Sequence, residues 1–294
     1  MSLATSAPPS TAPTATSPYD FLARFGHLEL ESQESDPILL DCDTHATDDA
    51  QFEPVQAAPA VTMSGVTRYS MQRTNSVLSG RQLRASYAVT GRTDLTESDR
   101  LYSVVYSESA SQSWKRTVVD EVAGGVPLFN VKRTMPVGHS VAYRGAHSSE
   151  PPGRPRLMDF TCSNSSMMAT SFKIAGTVAT KVVGTGQAAK RHFLCVTDLG
   201  LRNMYVFYVV DGKPTAWGAT KNELAPGILV ATITAANKYS SGKERASGPA
   251  HMYLDVAAGM DLRIVIAFAL YACTHTQVIM STVDESLAFV PDNV

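Results

Sequence analysis

Cysteine is scarce and badly placed for cross-linking. Cys42, Cys162, Cys195 and Cys273 are the only four, and no two form a CxxC pair, so a disulfide framework is excluded. No stretch near the N-terminus joins a basic start to an apolar core, so no secretory signal is read. Both absences lead us to expect an intracellular, reducing compartment: the cytoplasm, peripherally at membrane, with the nucleus left open. Catalytic signatures are missing too. There is no GxSxG, HExxH or P-loop sequence, and no segment concentrates the carboxylates that paired acid–base work needs. His192 and Cys195 are a close pair of metal-ligand types, but at that spacing on a strand they point to opposite faces. The expectation is a non-enzymatic protein with no metal and no cofactor.

Long hydrophobic runs are absent as well, and the exception is short. Ten apolar residues run unbroken from Ile264 to Cys273, behind Gly259 and a helix-start signal at Met260-Asp261. At ~1.5 Å per residue the run covers roughly 15 Å, about half a bilayer's hydrocarbon thickness, so no transmembrane span is read. Being apolar all round, the run cannot be a surface helix either. Its natural place is inside a β-structure.

The charged residues, 18% of the chain, are unevenly spread. Residues 1–60 carry ten acidic groups against Arg24 alone, whereas residues 61–294 are net basic. Residues 1–17 are Ser/Thr/Pro/Ala without periodicity, which reads as disorder. An acidic stretch follows over 18–60. A basic, Ser-rich linker over 61–96 carries Arg68, Arg73, Arg81, Arg84 and Arg92. Residues 1–96 are therefore expected to be a disordered leader. Within 18–30, Tyr19, Phe21 and Phe25 form a small aromatic cluster: a docking motif for a protein partner, or transient structure. Arg81-Gln82-Leu83-Arg84-Ala85-Ser86 fits RxxRxS and Arg73-Thr74-Asn75-Ser76 fits RxxS, making Ser86 and Ser76 phosphorylation candidates.

Beyond residue 97 the texture is β. Twelve strand-like runs are separated by Gly, Pro, Asp and Ser: 101–107, 114–120, 126–133, 139–144, 156–162, 170–175, 177–183, 191–197, 203–210, 213–219, 228–234 and 251–256. In the last, Met252, Leu254 and Val256 face one way while His251, Tyr253 and Asp255 face the other. In 203–210 both faces are apolar, as where a sheet is covered on both sides. Barrel width grows with strand number, and eleven-stranded cans already enclose a helix. The fold expected is mainly β: a closed, about twelve-stranded antiparallel barrel over 97–290, around a central hydrophobic C-terminal helix at 260–280.

These features resemble the tubby C-terminal-like superfamily, which takes in tubby proteins, phospholipid scramblases and plant LURP-one-related proteins. The resemblance rests on the serial hairpins, the strand His251–Val256, Gly259-Met260-Asp261 and the apolar helix at 262–280. Val126-Pro127-Leu128-Phe129-Asn130-Val131-Lys132-Arg133 is similar to an early strand of LURP-one relatives. The resemblance implies the same twelve-stranded barrel around a helix, and, from tubby domains, phosphoinositide binding at a basic surface. The chain lacks the cysteine cluster and acidic calcium segment of scramblases.

Anion binding is the chemistry the residues favour. Lys181, Lys190, Arg191 and His192 bracket the turn at 184–189, and Lys132 and Arg133 end another run. Lys238, Lys243 and Arg245 sit in a loop. Each cation near an anionic leaflet contributes on the order of 1 kcal/mol, so a convergent set could hold the domain there. The expected partner is anionic phospholipid, bound reversibly at the membrane surface. The alternative is a protein-interaction scaffold without lipid binding. No nucleic acid is expected, and nothing specifies an oligomeric state. Gly184-Thr185-Gly186-Gln187-Ala188-Ala189 matches GxGxxA, but the β-type run at Arg191 leaves no room for the helix a pyrophosphate site needs, so a hairpin turn is expected.

Overall fold

A computed structural model describes residues 25–26, 28–42, 44–46, 52–54, 65–79, 82–91, 100–107, 115–134, 139–146, 156–163, 171–198, 200–210, 227–236 and 249–287. In chain order its strands are β1 (Leu39–Leu40), β2 (Thr44–Ala46), β3 (Phe52–Pro54), β4 (Val66–Ser79), β5 (Gln82–Thr90), β6 (Arg100–Ser107), β7 (Lys115–Asp120) and β8 (Val126–Thr134). They continue with β9 (His139–Arg144), β10 (Met158–Ser163), β11 (Ser171–Lys181), β12 (Ala188–Asp198), β13 (Asn203–Val209), β14 (Ile228–Ala235) and β15 (His251–Ala257). One helix, α1 (Leu262–Leu287), ends the described chain.

Strands β4 to β15 form a closed antiparallel ring. Each pairs with its successor, β11 with β12 included, and β15 returns to β4 through Ala257 opposite Val66. β1 is a thirteenth strand. It lies on β11 at Lys181 and Thr180, just past Met158↔Val178 where β10 stops pairing. β2 and β3 make a separate two-stranded sheet.

The fold class is as the sequence predicts, with three corrections. The linker assigned to 61–96 is wrong: β4 and β5 lie inside it and close the ring. Arg68, Ser70 and Ser86 lie on their outer face, while Tyr69, Met71, Tyr87 and Val89 supply the inward face. The runs 170–175 and 177–183 are one strand, β11, because Gly176 does not break it. Third, the leader is not wholly outside the fold, since 28–42 packs against the barrel. The run 213–219 and residues 1–24 lie outside the described residues. The twelve strands of the ring thus include two, β4 and β5, that the sequence reading placed in the leader, and one, β11, that it counted twice.

Alternate residues point into the barrel. Met252, Leu254 and Val256 of β15 are buried in the core, while His251, Tyr253 and Asp255 are partly exposed outside, as the period-two pattern requires. The helix fills the interior. From Leu262 to Cys273 every residue is at most 5% exposed, so no face of α1 meets solvent there. It touches β5, β8, β11 and β15, which are spread around the ring. Asp261 caps its start: Oδ1 accepts the amide of Arg263 at 2.9 Å. Phe268 packs edge-on to Phe160 with centroids 5.1 Å apart, and Tyr271 stacks on Phe160 at 5.3 Å. Gly176 makes room for this cluster, because a Cβ there would lie 2.6 Å from Cζ of Phe268.

A strap formed by residues 28–42 crosses the end where α1 enters. The amide of Gln33 donates to the carbonyl of Ala258, that of Ile38 to Gly259, and that of Leu40 to Oδ2 of Asp261 at 2.8 Å. Gly259, at φ +79°, admits the strap, since a Cβ would come within 2.3 Å of the Gln33 backbone. Two arginines fasten it. Arg144 donates through Nε to the Asp41 carbonyl and through Nη2 to its carboxylate, both at 2.8 Å. Arg191 grips the carboxylate of Asp36 at 2.6 and 2.7 Å.

The strap also explains the doubly apolar run at 203–210. Phe25 is buried against Ala175, Leu194, Val196, Phe207 and Leu229 on the outer wall, with Leu28 and Leu30 beside it. Its ring lies 5.3 Å from that of Phe207 and 5.5 Å from that of Tyr205. The second covering layer is thus the chain's own N-terminal segment.

Candidate functional site

Strand direction sorts the candidate cations. Neighbouring strands are antiparallel, so every second connection falls on the same rim. The helix-entry rim carries the turns β7–β8 and β11–β12, the end of β13 and the start of β4; the opposite rim carries the ends of β8, β12 and β14. Lys181, Lys190, Arg191 and His192 therefore lie towards the helix-entry rim, and Lys132 and Arg133 towards the other. The six do not form one cluster: the four that bracket the turn share one rim, and Lys132 and Arg133 lie at the other.

Side-chain alternation divides them further. Lys190 and His192 share the outward face of β12 with Leu194, while Arg191 shares the inward face with Phe193. Lys190 is exposed. Thr177, opposite on β11, lies 3.2 Å through Oγ1 from Nδ1 of His192. Lys181, at the end of β11, is half-buried and opposes Leu39 of β1. Arg191 is spent on structure: besides Asp36 it donates to the Tyr208 hydroxyl at 2.8 Å and lies over the Tyr208 ring at 5.4 Å. An arginine so engaged is not available to a head group unless the strap lets go.

On the opposite rim, Arg133 lines a small pocket with Arg116, Ser140, Leu270 and Tyr271, so it faces the helix. Lys132 stands outside, opposite Lys115 of β7. Lys115 donates to the Ala146 carbonyl, and its pKa is lowered, first by burial and then by Lys132. Lys238, Lys243 and Arg245 lie outside the described residues.

The first four residues of the GxGxxA stretch form a hairpin turn, and its last two open β12. The amide of Val182 donates to the Gln187 carbonyl, Gly184 and Gly186 take φ of +89° and +64°, and β12 begins at Ala188. His192 points outward and Cys195 into the core, and among the described residues no group of three His, Cys, Asp or Glu could hold a metal ion. All four cysteines are buried and unpaired to one another, and burial pushes the thiols of Cys162, Cys195 and Cys273 up. Ser86 is in β5, half-buried, its Oγ 3.5 Å from the amide of Tyr106 that donates to it. Ser76 is in β4, opposite Ala85. Both are sheet residues rather than linker residues.

No family model matches the chain, and no curated protein matches its sequence. Among the described residues no helix is long and apolar enough to cross a membrane.

Two surface features escape the sequence reading. One is a groove of about 530 Å³ on the outer wall, where Phe25, Leu28 and Leu30 of the N-terminal segment face Met204, Tyr205 and Thr232. Its walls come from segments far apart in sequence, so no local pattern marks it. The other is a polar row across β4 and β15. Arg68 binds Asp255 at 2.6 and 2.8 Å and lies over Tyr253 at 5.5 Å, and Ser70 Oγ meets His251 Nε2 at 2.8 Å. Period-two reading places these residues outside, but only the pairing of the first strand of the ring with the last brings them together.

Proposed function

We propose that the protein is a non-enzymatic, tubby-like barrel that binds anionic phospholipid, phosphoinositide-like, reversibly at a membrane surface. One observation carries this reading: Lys181, Lys190 and His192 lie along the outer wall beside an exposed hairpin turn that carries Val183. Cations flanking an exposed apolar side chain suit a bilayer interface, where the ammonium groups meet phosphates and the apolar side chain meets acyl chains. The packed interior supports a role for the outer surface, because the helix occupies the space a small molecule would need. The architecture is also the one the tubby-like resemblance implies.

Vesicle flotation of the full chain tests this. Vesicles containing a phosphoinositide should carry the protein at low salt and release it at high salt, and neutral vesicles should carry less. Lys181→Glu with Lys190→Glu should weaken vesicle affinity about thirtyfold, at on the order of 1 kcal/mol for each of the two cations. Indifference of the wild-type chain to anionic vesicles at low salt would end the proposal.

A second reading is favoured by the outer groove. There the protein is an interaction module whose strap and β13–β14 wall receive a partner's apolar segment. Substitution of Tyr205 and Thr232 with charged residues would abolish partner capture under that reading and leave vesicle binding unchanged.

A further inference from the structure

Among the described residues five large apolar side chains are exposed, and all are valines: Val66 at 55%, Val105 at 46%, Val122 at 58%, Val183 at 52% and Val210 at 58%. Isolated exposed valines are ordinary on a protein surface. Their distribution here is not even. Val66 opens β4 opposite Ala257, the last residue of β15. Val122 lies in the β7–β8 turn, Val183 in the β11–β12 turn, and Val210 follows β13. The alternation of strand direction puts these four on the helix-entry rim. Val105 alone sits on the wall, five residues along β6 from that rim, or roughly 17 Å at about 3.3 Å per residue.

The four positions are also spread around the ring rather than gathered on one side. Twelve tilted strands about 4.8 Å apart enclose a barrel roughly 20 Å across. A peptide in a groove cannot touch apolar points on all sides of such a rim; a flat fluid surface can. We infer that the helix-entry rim is the end that meets the membrane, with Val66, Val122, Val183 and Val210 entering the interfacial layer of the bilayer. This rests on the lipid-binding reading and adds to it the orientation and the main adhesive contact.

Charge at the rim assigns the lysines a secondary part. Lys181 and Lys190 flank Val183, but the strap brings Glu34 and Asp36 to the same end, and Glu121 neighbours Val122. Asp36 is already paired with Arg191. With cations and carboxylates nearly balanced, apolar insertion holds the protein and the lysines bias it towards anionic lipid. The strap crosses this end, so its acidic residues face the head groups, and a high anionic fraction gains less than an unopposed lysine cluster would.

The four native cysteines are buried, so a thiol-reactive, environment-sensitive fluorophore would label an introduced surface cysteine selectively. Val122→Cys, Val183→Cys and Val105→Cys, each in the full chain, would be labelled and mixed with vesicles of phosphatidylcholine containing about one-third phosphatidylserine. The probes at 122 and 183 should shift to the blue and become shielded from an aqueous quencher, while the probe at 105 stays exposed. Val122→Asp with Val183→Asp should weaken vesicle binding by at least tenfold per valine, as loss of roughly 1.5 kcal/mol of burial each implies, and Val105→Asp should not. If labelled protein floats with the vesicles while the probes at 122 and 183 remain in water, the rim assignment is overturned and lipid binding stands. If the wild-type chain does not float on these vesicles or on phosphoinositide vesicles at low salt, both fall.

Discussion

His275 shows how position alone retunes a side chain. It lies on α1, 5% exposed, stacked on Tyr271 and tilted against Phe172. Burial, and then the positive charge of Arg133, lower its pKa from 6.5 to about 4. In the unfolded chain the same imidazole takes up a proton near its ordinary value. Between pH 6.5 and about 4 the unfolded state therefore binds a proton that the folded state refuses, and stability falls as the pH drops through that window. The shift corresponds to about 3 kcal/mol at most, fully lost below the folded pKa. Urea unfolding at pH 7 and pH 4.5 should show this, and His275→Gln should flatten the acid limb by a large part of it. An unchanged slope in the variant would mean that other groups govern the acid limb. Ile264–Cys273 makes the burial of this helix readable in advance; the neighbours Phe172 and Arg133 are contributed by other strands and have no local signature.

The strap is the element whose role departs most from its composition. Glu29, Glu31, Glu34 and Asp36 give it the look of a solvated acidic tract, and its apolar members Leu28, Leu30, Ile38, Leu39 and Leu40 are few. Ile38 and Leu40 are nonetheless fully buried, and the Arg144–Asp41 pair is enclosed, with side chains 0% and 8% exposed. A buried pair offers little net stability when intact, yet removing one partner strands the other charge in a medium that cannot solvate it. Asp41→Ala is therefore expected to cost about 3–5 kcal/mol, a large share of a domain's typical margin. Thermal or urea denaturation measures it directly. A loss below about 1 kcal/mol would show the strap to be peripheral to the fold. The aromatic residue Phe25, read beforehand as part of a partner-docking motif or of transient structure, is instead docked on the barrel of its own chain. The residues at 18–24 lie outside the described residues.

For the molecule as a whole, closure is the governing constraint. A barrel has no edge strands only while every strand is present. β4 and β5 join β15 to β6, so a fragment beginning at residue 97 would leave both of those strands with unpaired backbone groups and open the core beside α1. Such a fragment is expected to be insoluble or non-cooperative in unfolding, while the full chain unfolds as one unit. Circular dichroism and denaturant titration distinguish the two. A cooperative, helix-containing fragment 97–294 would contradict the ring described here.

What the chain determined by itself was the part governed by short-range rules. A ten-residue apolar stretch too short for a bilayer and too greasy for a surface had to be enclosed, and serial period-two runs had to supply the enclosure. The glycines at 184 and 186 had to make a turn because a strand follows at once. Tertiary structure decided everything that depends on which distant segments meet. It recruited β4 and β5 from a stretch with a linker's composition, laid an acidic strap over the helix entrance, and placed Lys132 and Arg133 at the opposite end from Lys181 and Lys190. It also gathered Val66, Val122, Val183 and Val210, each unremarkable in its own neighbourhood, onto one rim. The reason is physical: local pattern fixes which face of a strand is buried, whereas ring closure and strand direction fix which end of the barrel a residue occupies.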